Sequence, residues 1–436
     1  MIPMTWFVTY KPVFLNTLTN RLEQKPITCH CFFLTKLKTM NNCFSISAKT
    51  KRFFLILFCI GCGYISAVPA YGQKARMTKE EKKAMMRDTL DGKFDFSRFL
   101  IDAKGFIPVP LIITEPALGG FGGLLAAMFL TPKKNSTGKG YIPPDITVGA
   151  AMYTANGSWL VGGGRIGSIP KAGLKYRAFM GYCNINLNFY RELVNLGEKE
   201  LKLEFGLDAL PVLLSLSKKI GGTELYLGLQ YSYANIKAKP KFDTSLHSYF
   251  KPEEYDNNIG SLGVFLDWDK RNSIFTADKG TRVNILYSVD DNWTGSSFEF
   301  QKLNGFVNWF LPLKQNWISG LRAEVQHVFD SPPFYAYPYI NLRGIPVARY
   351  QGATTALMET EQRFDFTKRW SAVAFGGLGK AIQRDQSFSE AKTVYNFGTG
   401  FRYLLARAFK LRAGIDIAKG PDSVGWYIVF GHNWNR

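Results

Sequence analysis

Apolar and polar residues alternate with a period of two, segment after segment, from Gly119 to the end of this 436-residue chain. In Leu201–Asp208 the odd positions are apolar and the even ones small or polar, and Phe409–Ile417 repeats the pattern. Leu225–Tyr233 and Val283–Tyr287 follow it too, and Trp317, Leu321, Ala323 and Val325 alternate with Gly320, Arg322, Glu324 and Gln326. A period of two belongs to strands, because successive side chains leave a pleated strand on opposite faces. About sixteen such segments can be counted, the first centred near Leu125, two more near Leu203 and Leu213, and the last near Ile428. An even number of antiparallel strands is what a closed barrel in an outer membrane requires. Ten residues of strand rise roughly 33 Å, or about 23 Å along the membrane normal at a tilt near 45°.

The links between segments argue against a soluble sandwich, which needs no asymmetry between its two ends. Thr131–Pro144, Ala238–Asn258 and Ser331–Ala353 are long and polar, and belong at the outer end if the N-terminus is periplasmic. Asn156-Gly157, Pro312–Asn316, Thr367–Arg369 and Ala406–Ala408 are tight, and the count places them at the inner end. Asn-Gly is a strong hairpin signal. Leu193–Glu198 and Lys270–Gly280 are longer than the inner end wants.

The N-terminus reads as an export signal. Lys49, Lys51 and Arg52 precede the apolar run Phe53–Ile60, and small residues follow to Gly72. Basic, apolar and small-residue regions in that order form a secretory signal peptide. The expected division is a leader over 1–72, with 1–39 an upstream over-reading before Met40, a short periplasmic segment over 73–118, and a membrane barrel over 119–436. Within the short segment, Thr78-Lys79-Glu80-Glu81 is a capping box ahead of a helix over Glu80–Leu90.

Charge and cysteine content then narrow the function. The chain has 54 Lys and Arg against 34 Asp and Glu, a net +20, which invites a nucleic-acid partner. Removing 1–72 takes away eight bases and one acid and leaves +13, on links and at strand positions such as Lys202, Arg282, Arg322, Lys410 and Arg412. A wet lumen beside anionic lipid explains that residue of charge, so the expected partner is outer-membrane lipid and not nucleic acid. Five of the six cysteines lie in the leader, and Cys183 is left alone. His247, His327 and His432 are far apart, so neither a disulfide nor a metal site nor a cofactor is expected. No Ser–His pair is placed for lipid chemistry, and no enzyme is expected. Gly162-Gly163-Gly164-Arg165-Ile166-Gly167 fits G-x-G-x-x-G, but Ser168-Ile169-Pro170 follows where a nucleotide site needs a helix. These glycines read as strand glycines. At the other end, Trp426, Ile428, Phe430 and Trp434 share one face of a terminal aromatic strand.

One long link contains Asn341-Leu342-Arg343-Gly344-Ile345-Pro346, and in the next strand Glu359, Glu361 and Arg363 share a face opposite Met358, Thr360 and Phe364. A barrel's polar face is its lumen. An arginine on a loop folded inward would meet these glutamates through charge-assisted hydrogen bonds. The alternative is a surface arginine unrelated to a lumenal charge ladder.

Leu342-Arg343-Gly344-Ile345 resembles the (V/L)-R-G-(F/Y) loop motif of the BamA/TamA outer-membrane assembly barrels, the bacterial surface antigen superfamily. Glu361-Gln362-Arg363 is similar to their following E-x-R strand. Asp267-Trp268-Asp269-Lys270-Arg271-Asn272, with Phe275-Thr276 and Lys279-Gly280, is similar to their D-x-R-D-N…F-P-T-x-G turn. The resemblance covers roughly Gly119–Arg436. It implies a sixteen-stranded antiparallel outer-membrane barrel that assists protein insertion or translocation, with client outer-membrane proteins and a separate periplasmic partner. A seam near Gly123 and Ile428 would open, and Arg343 would anchor a lumenal plug. Two departures stand out. The family's F-x-D-x-G appears as Phe375-Gly376-Gly377-Leu378-Gly379, with Gly377 in place of the aspartate that usually holds the loop arginine, which leaves Glu359 or Glu361. Residues 73–118 are also too few for one soluble polypeptide-transport-associated (POTRA) repeat. The alternative is therefore a passive channel or structural barrel that has lost the assembly activity.

Overall fold

A computed structural model of the protein describes residues 78–434, apart from 103–104, 132–144, 194–198, 244–249 and 251. The expected leader lies outside the described residues. Sixteen strands form one antiparallel sheet in chain order. They are β1 (Gly105–Ile113), β2 (Gly122–Thr131), β3 (Asp145–Thr154), β4 (Trp159–Ile169), β5 (Leu174–Leu193), β6 (Lys199–Lys219), β7 (Leu225–Pro240) and β8 (Asp256–Asp269), followed by β9 (Gly280–Asp290), β10 (Phe300–Lys314), β11 (Trp317–Phe329), β12 (Thr354–Asp365), β13 (Trp370–Ile382), β14 (Thr393–Ala406), β15 (Leu411–Lys419) and β16 (Val424–Phe430). The result is an all-β, nearly closed barrel of the outer-membrane type. Each strand pairs with the next, and among the described residues no ladder joins β16 back to β1.

The expected number is right, but two strands differ from the expectation and offset each other. The sheet starts at Gly105, ahead of Gly119, because β1 belongs to it. Its sequence, GFIPVPLII, carries Pro108 and Pro110 and so does not read as a strand. A proline cannot donate to a ladder and is tolerated on an edge. Both prolines have the same parity, and the register to β2 runs through them unbroken, so both missing donors face the free edge. Conversely, the segments near Leu203 and Leu213 are one strand, β6, whose apolar run Ala209–Val212 interrupts the alternation while its register to β7 continues.

These two changes move the early links to the opposite end. Asn156 of the Asn-Gly turn donates to Ala117 O at 3.2 Å and to Asn186 O at 2.9 Å. Residues 155–158 therefore sit at the outer end with the 330–353 loop, not at the inner end. Residues 194–198 lie outside the described ones, but the strand ends that they join, Leu193 and Lys199, are at the outer end by the same parity, which removes one of the two misfits. Residues 132–144 of the expected outer link also lie outside the described ones. The strand ends that they join, Thr131 and Asp145, are at the inner end.

Among the described residues, Thr78–Lys82 belong to a separate unit. There Glu81 N donates to Thr78 Oγ1 at 3.2 Å and Thr78 N to Glu81 Oε2 at 2.8 Å, the reciprocal pair of a capping box, at the start of α1 (Lys79–Met85). In the barrel unit, residues 86–96 lead into α2 (Ser97–Asp102). Arg369, in the β12–β13 turn, fastens this stretch. Its Nε donates to Asp91 Oδ2 at 2.7 Å, its Nη1 to Asp95 Oδ2 at 2.6 Å, and its Nη2 to Asp88.

The outward face of the sheet is apolar, as lipid demands, with Leu125, Val161, Leu229 and Ile417 exposed and Met358 at 70%. The expectation of a uniformly polar lumen fails. From β9 to β15 the inward residues include Arg282, Arg322, Glu324, Glu359, Glu361, Arg402 and Asp416. From β1 to β4 they are Ile107, Val109, Ala126, Met152 and Leu160. Lys202 is not lumenal either: it is exposed and shares the parity of Leu214 and Leu216, which face outward. The glycines Gly162–Gly167 lie within β4, as strand glycines.

Candidate functional site: an arginine-anchored loop beside the barrel seam

The loop over 330–353 folds into the barrel. Its first half is held by aromatic rings, with Phe334 packed against Phe205 and Phe189 at centroid distances of 4.5 and 4.8 Å. Its second half carries the Leu342-Arg343-Gly344-Ile345 motif. Leu342 and Ile345 pack with Ile340, Leu357 and Val394, which sets the backbone so that Arg343 points at the wall.

Arg343 is 3% exposed. Its Nη1 donates to Glu361 Oε2 at 2.8 Å and to Asp416 Oδ2 at 2.6 Å, and its Nη2 donates to Glu359 Oε1 at 2.9 Å. Its guanidinium lies 3.4 Å from the centre of the Phe375 ring. The carboxylates are shared with further arginines: Arg322 Nη1 reaches Glu359 Oε2 at 3.2 Å, and Arg402 Nη2 reaches Asp416 Oδ2 at 2.9 Å. A buried charge network is tolerable when every member is paired. Here the pairing fixes the loop against β12, β13 and β15 at once.

Both expected partners, Glu359 and Glu361, are therefore in place. Asp416 was not expected. It stands two strands beyond Gly377, where the family resemblance places an aspartate. A Cβ on Gly377 would already lie 2.8 Å from Asn396 Oδ1 and 3.1 Å from Leu342 Cδ2, so the loop's leucine and Asn396 fill that space. Asn396 Nδ2 also donates to Arg343 O at 2.9 Å. Arg363 differs from the expectation. It shares the face of Glu361 but bonds Asp365, Nε to Oδ1 at 3.0 Å, and Asp278 of the β8–β9 link, away from Arg343.

Gly344 lets the loop touch the seam strand. Its φ is +83°, and a Cβ there would meet Gly420 N at 2.8 Å, in the β15–β16 turn. Its N–H donates to Tyr427 Oη of β16 at 2.8 Å, and its carbonyl accepts from Ser423 Oγ at 2.7 Å.

The terminal aromatics do not all face lipid. β16 ends at Phe430, Gly431 turns with a φ of +78°, and Trp434 enters the lumen at 1% exposure. There Trp434 Nε1 donates to Glu359 Oε2 at 2.6 Å and the ring packs on Phe310. The turn motif supports this inward path. Arg271 makes a two-pronged bond to Asp269, Nε–Oδ1 2.9 Å and Nη2–Oδ2 2.7 Å, and its Nη1 lies 3.0 Å from His432 Nε2. Arg282 Nε donates to Asp267 Oδ1 at 2.9 Å. Gly280, at a φ of +108°, closes the turn against Lys270 O. His432 N donates to Phe275 O at 3.0 Å, so the long inner link reaches the C-terminal residues. Its length, a misfit at the sequence level, serves that span.

No protein-family model matches the chain, and no curated protein matches it in sequence. Solved structures do. BamA from Haemophilus ducreyi lacking POTRA domains 1–3 superposes with a TM-score of 0.51 at 10% identity, over 81% of this chain and 82% of that one. The fold is that of the BamA barrel. CdiB from Escherichia coli agrees, with a TM-score of 0.54 at 11% identity over 74% of this chain, which spans 62% of CdiB. The expected seam near Gly123 shifts with the extra strand: Gly122 and Gly123 open β2, and the unladdered edges belong to β1 and β16.

Proposed function

We propose that the protein sits in a bacterial outer membrane, exported by its signal peptide, and assists insertion or translocation of other proteins there. The observation that carries this reading is the junction of plug and seam. The loop held by Arg343 bonds Tyr427 and Ser423 beside a strand that has no ladder on its far side. A loop that grips β16 can hold the seam shut or let it part, and a parted seam offers edge donors and acceptors to an incoming strand. The BamA-like fold supports the same reading. The reading requires no enzymatic step, since strand exchange needs no bond chemistry. Capture of clients would fall to a separate periplasmic partner.

A passive channel is the weaker reading, because the loop and Trp434 fill the lumen beside Glu359. Two measurements separate them. The purified protein in planar bilayers is expected to pass no steady current, while its depletion slows assembly of other outer-membrane barrels. A steady current with normal assembly would favour the channel.

A further inference from the structure

The apolar half of the lumen holds a partly open cavity of about 310 Å³ that the insertion reading does not use. Its walls are the inward faces of β1 to β5, including Val109, Ala126, Met128, Val148 and Met152. Its roof, at the outer end, is Glu115 and Leu118 of the β1–β2 link with Val347 of the long loop. Its floor is Ile274 and Phe275 of the β8–β9 link. Among the described residues, Thr114, Glu115, Tyr339 and Tyr427 supply the polar side chains of the lining. At Phe179, Pro211 and Tyr339 the cavity adjoins the polar part of the lumen, and on another side is the seam, where Val109 and Leu111 of β1 and Tyr427 of β16 border the cavity without a ladder between their strands.

Such a lining offers water few hydrogen-bond partners. Apolar cavities stay dry, and one of about 150 Å³ takes up a benzene-sized molecule. Twice that volume suits a stretch of hydrocarbon chain, though not a whole lipid. The surroundings decide which hydrocarbon. Roof and floor are built from the protein's own links, while the seam faces the bilayer, where acyl chains are at the highest local concentration. A chain moving from bilayer to cavity leaves one apolar medium for another and fills a void that otherwise lacks contacts. Pro108 and Pro110 hold the seam edge of β1 short of donors, so a strand-to-strand ladder does not seal this way in.

We propose that this cavity binds an acyl chain of a bilayer phospholipid, admitted sideways between β1 and β16, with the headgroup left at the membrane interface.

The full chain in nanodiscs tests this with a phosphatidylethanolamine bearing a diazirine midway along one acyl chain. After irradiation, adducts are mapped by residue. Inward Met128, Val148 and Met152 are expected to carry adducts alongside outward Leu125, Phe129 and Tyr153. The pair Ala126→Phe and Ala150→Phe fills the cavity and is expected to cut inward adducts at least tenfold, with outward ones unchanged. Should that pair fail to fold, Val148→Asn alone makes the lining polar at nearly constant volume and is expected to cut inward adducts several-fold. A free fatty acid with the same diazirine, added from solution, tests the source. Adducts confined to outward residues overturn the proposal, as do inward adducts that persist in the folded filled or polar variant. Inward adducts from the free acid and none from the phospholipid overturn the bilayer source and with it the sideways entry. None of these readouts involves a client protein, so they stand apart from the insertion assay.

Discussion

Arg343 is the residue on which the loop depends, and its removal leaves Glu359, Glu361 and Asp416 short of a cation in a buried site. Breaking a buried ion pair from one side costs about 3–5 kcal/mol. Arg343→Ala is therefore expected to lower the unfolding midpoint of the detergent-solubilised barrel by that order, measured by gel mobility against urea. Arg343→Lys should recover only part of the loss, since an ammonium cannot span three carboxylates as a planar fork does. Trp434→Phe keeps the ring and deletes the donor to Glu359, for a loss of about 1.5–3 kcal/mol in the same assay. Glu115 behaves differently. Burial pushes its carboxyl up to about 7, so the folded protein holds a proton that the unfolded chain releases near 4.5. Stability is expected to fall as pH rises from about 4.5 to 7 and then level off. Glu115→Gln should remove that slope from urea midpoints taken across the range. The sequence makes Glu359 and Glu361 legible as partners, because the loop motif precedes their shared strand face. It makes Asp416 legible only as an inward acid of its strand. Nothing in local spacing says that β15 curls round to meet the loop, or that Trp434 leaves the lipid face.

At the scale of the element, β1 and the stretch before it are the least legible parts. Two prolines break the alternation in β1, yet the same prolines mark an edge, and an edge is where a nearly closed barrel must keep its seam. The stretch over 86–97 has no amphipathic period. It is placed by Asp88, Asp91 and Asp95 converging on Arg369, a contact across most of the chain. The hydrogen bond from Arg369 holds Asp91 down to about 2, below its ordinary 3.8. Asp95 is held low as well: burial would raise it, but Ser97 and Arg369 outweigh that. Carboxyls lowered by docking favour the docked state above about pH 4 and lose that effect as pH falls towards 2. Brief trypsin treatment of the intact protein is expected to spare Lys93 and Arg98 near neutral pH. In Arg369→Ala, cleavage there should rise at least about tenfold, because Asp91 and Asp95 then lack their cation and Asp88 keeps only Arg407. Equal cleavage in the two proteins would remove Arg369 as the fastening of this stretch.

For the molecule as a whole, the alternation fixes the architecture and hides the division of the lumen. Strands such as β2, GGLLAAMFLT, are apolar on both faces, and a period reading assigns one of those faces to water by default. The charged half holds the loop, and the apolar half borders the seam. That division places the plug's grip on β16 next to the strand edge that a client would meet. The central claim is that this seam parts to admit a client. The most direct measurement is insertion of an urea-unfolded outer-membrane barrel into liposomes containing the protein with one cysteine in β1 and one in β16, placed to face each other across the seam. With the pair reduced, insertion is expected to run faster than in protein-free liposomes. Oxidising the pair should abolish the gain, and reductant should restore it. Insertion no faster than in protein-free liposomes, or unchanged when the seam is tethered, contradicts the account.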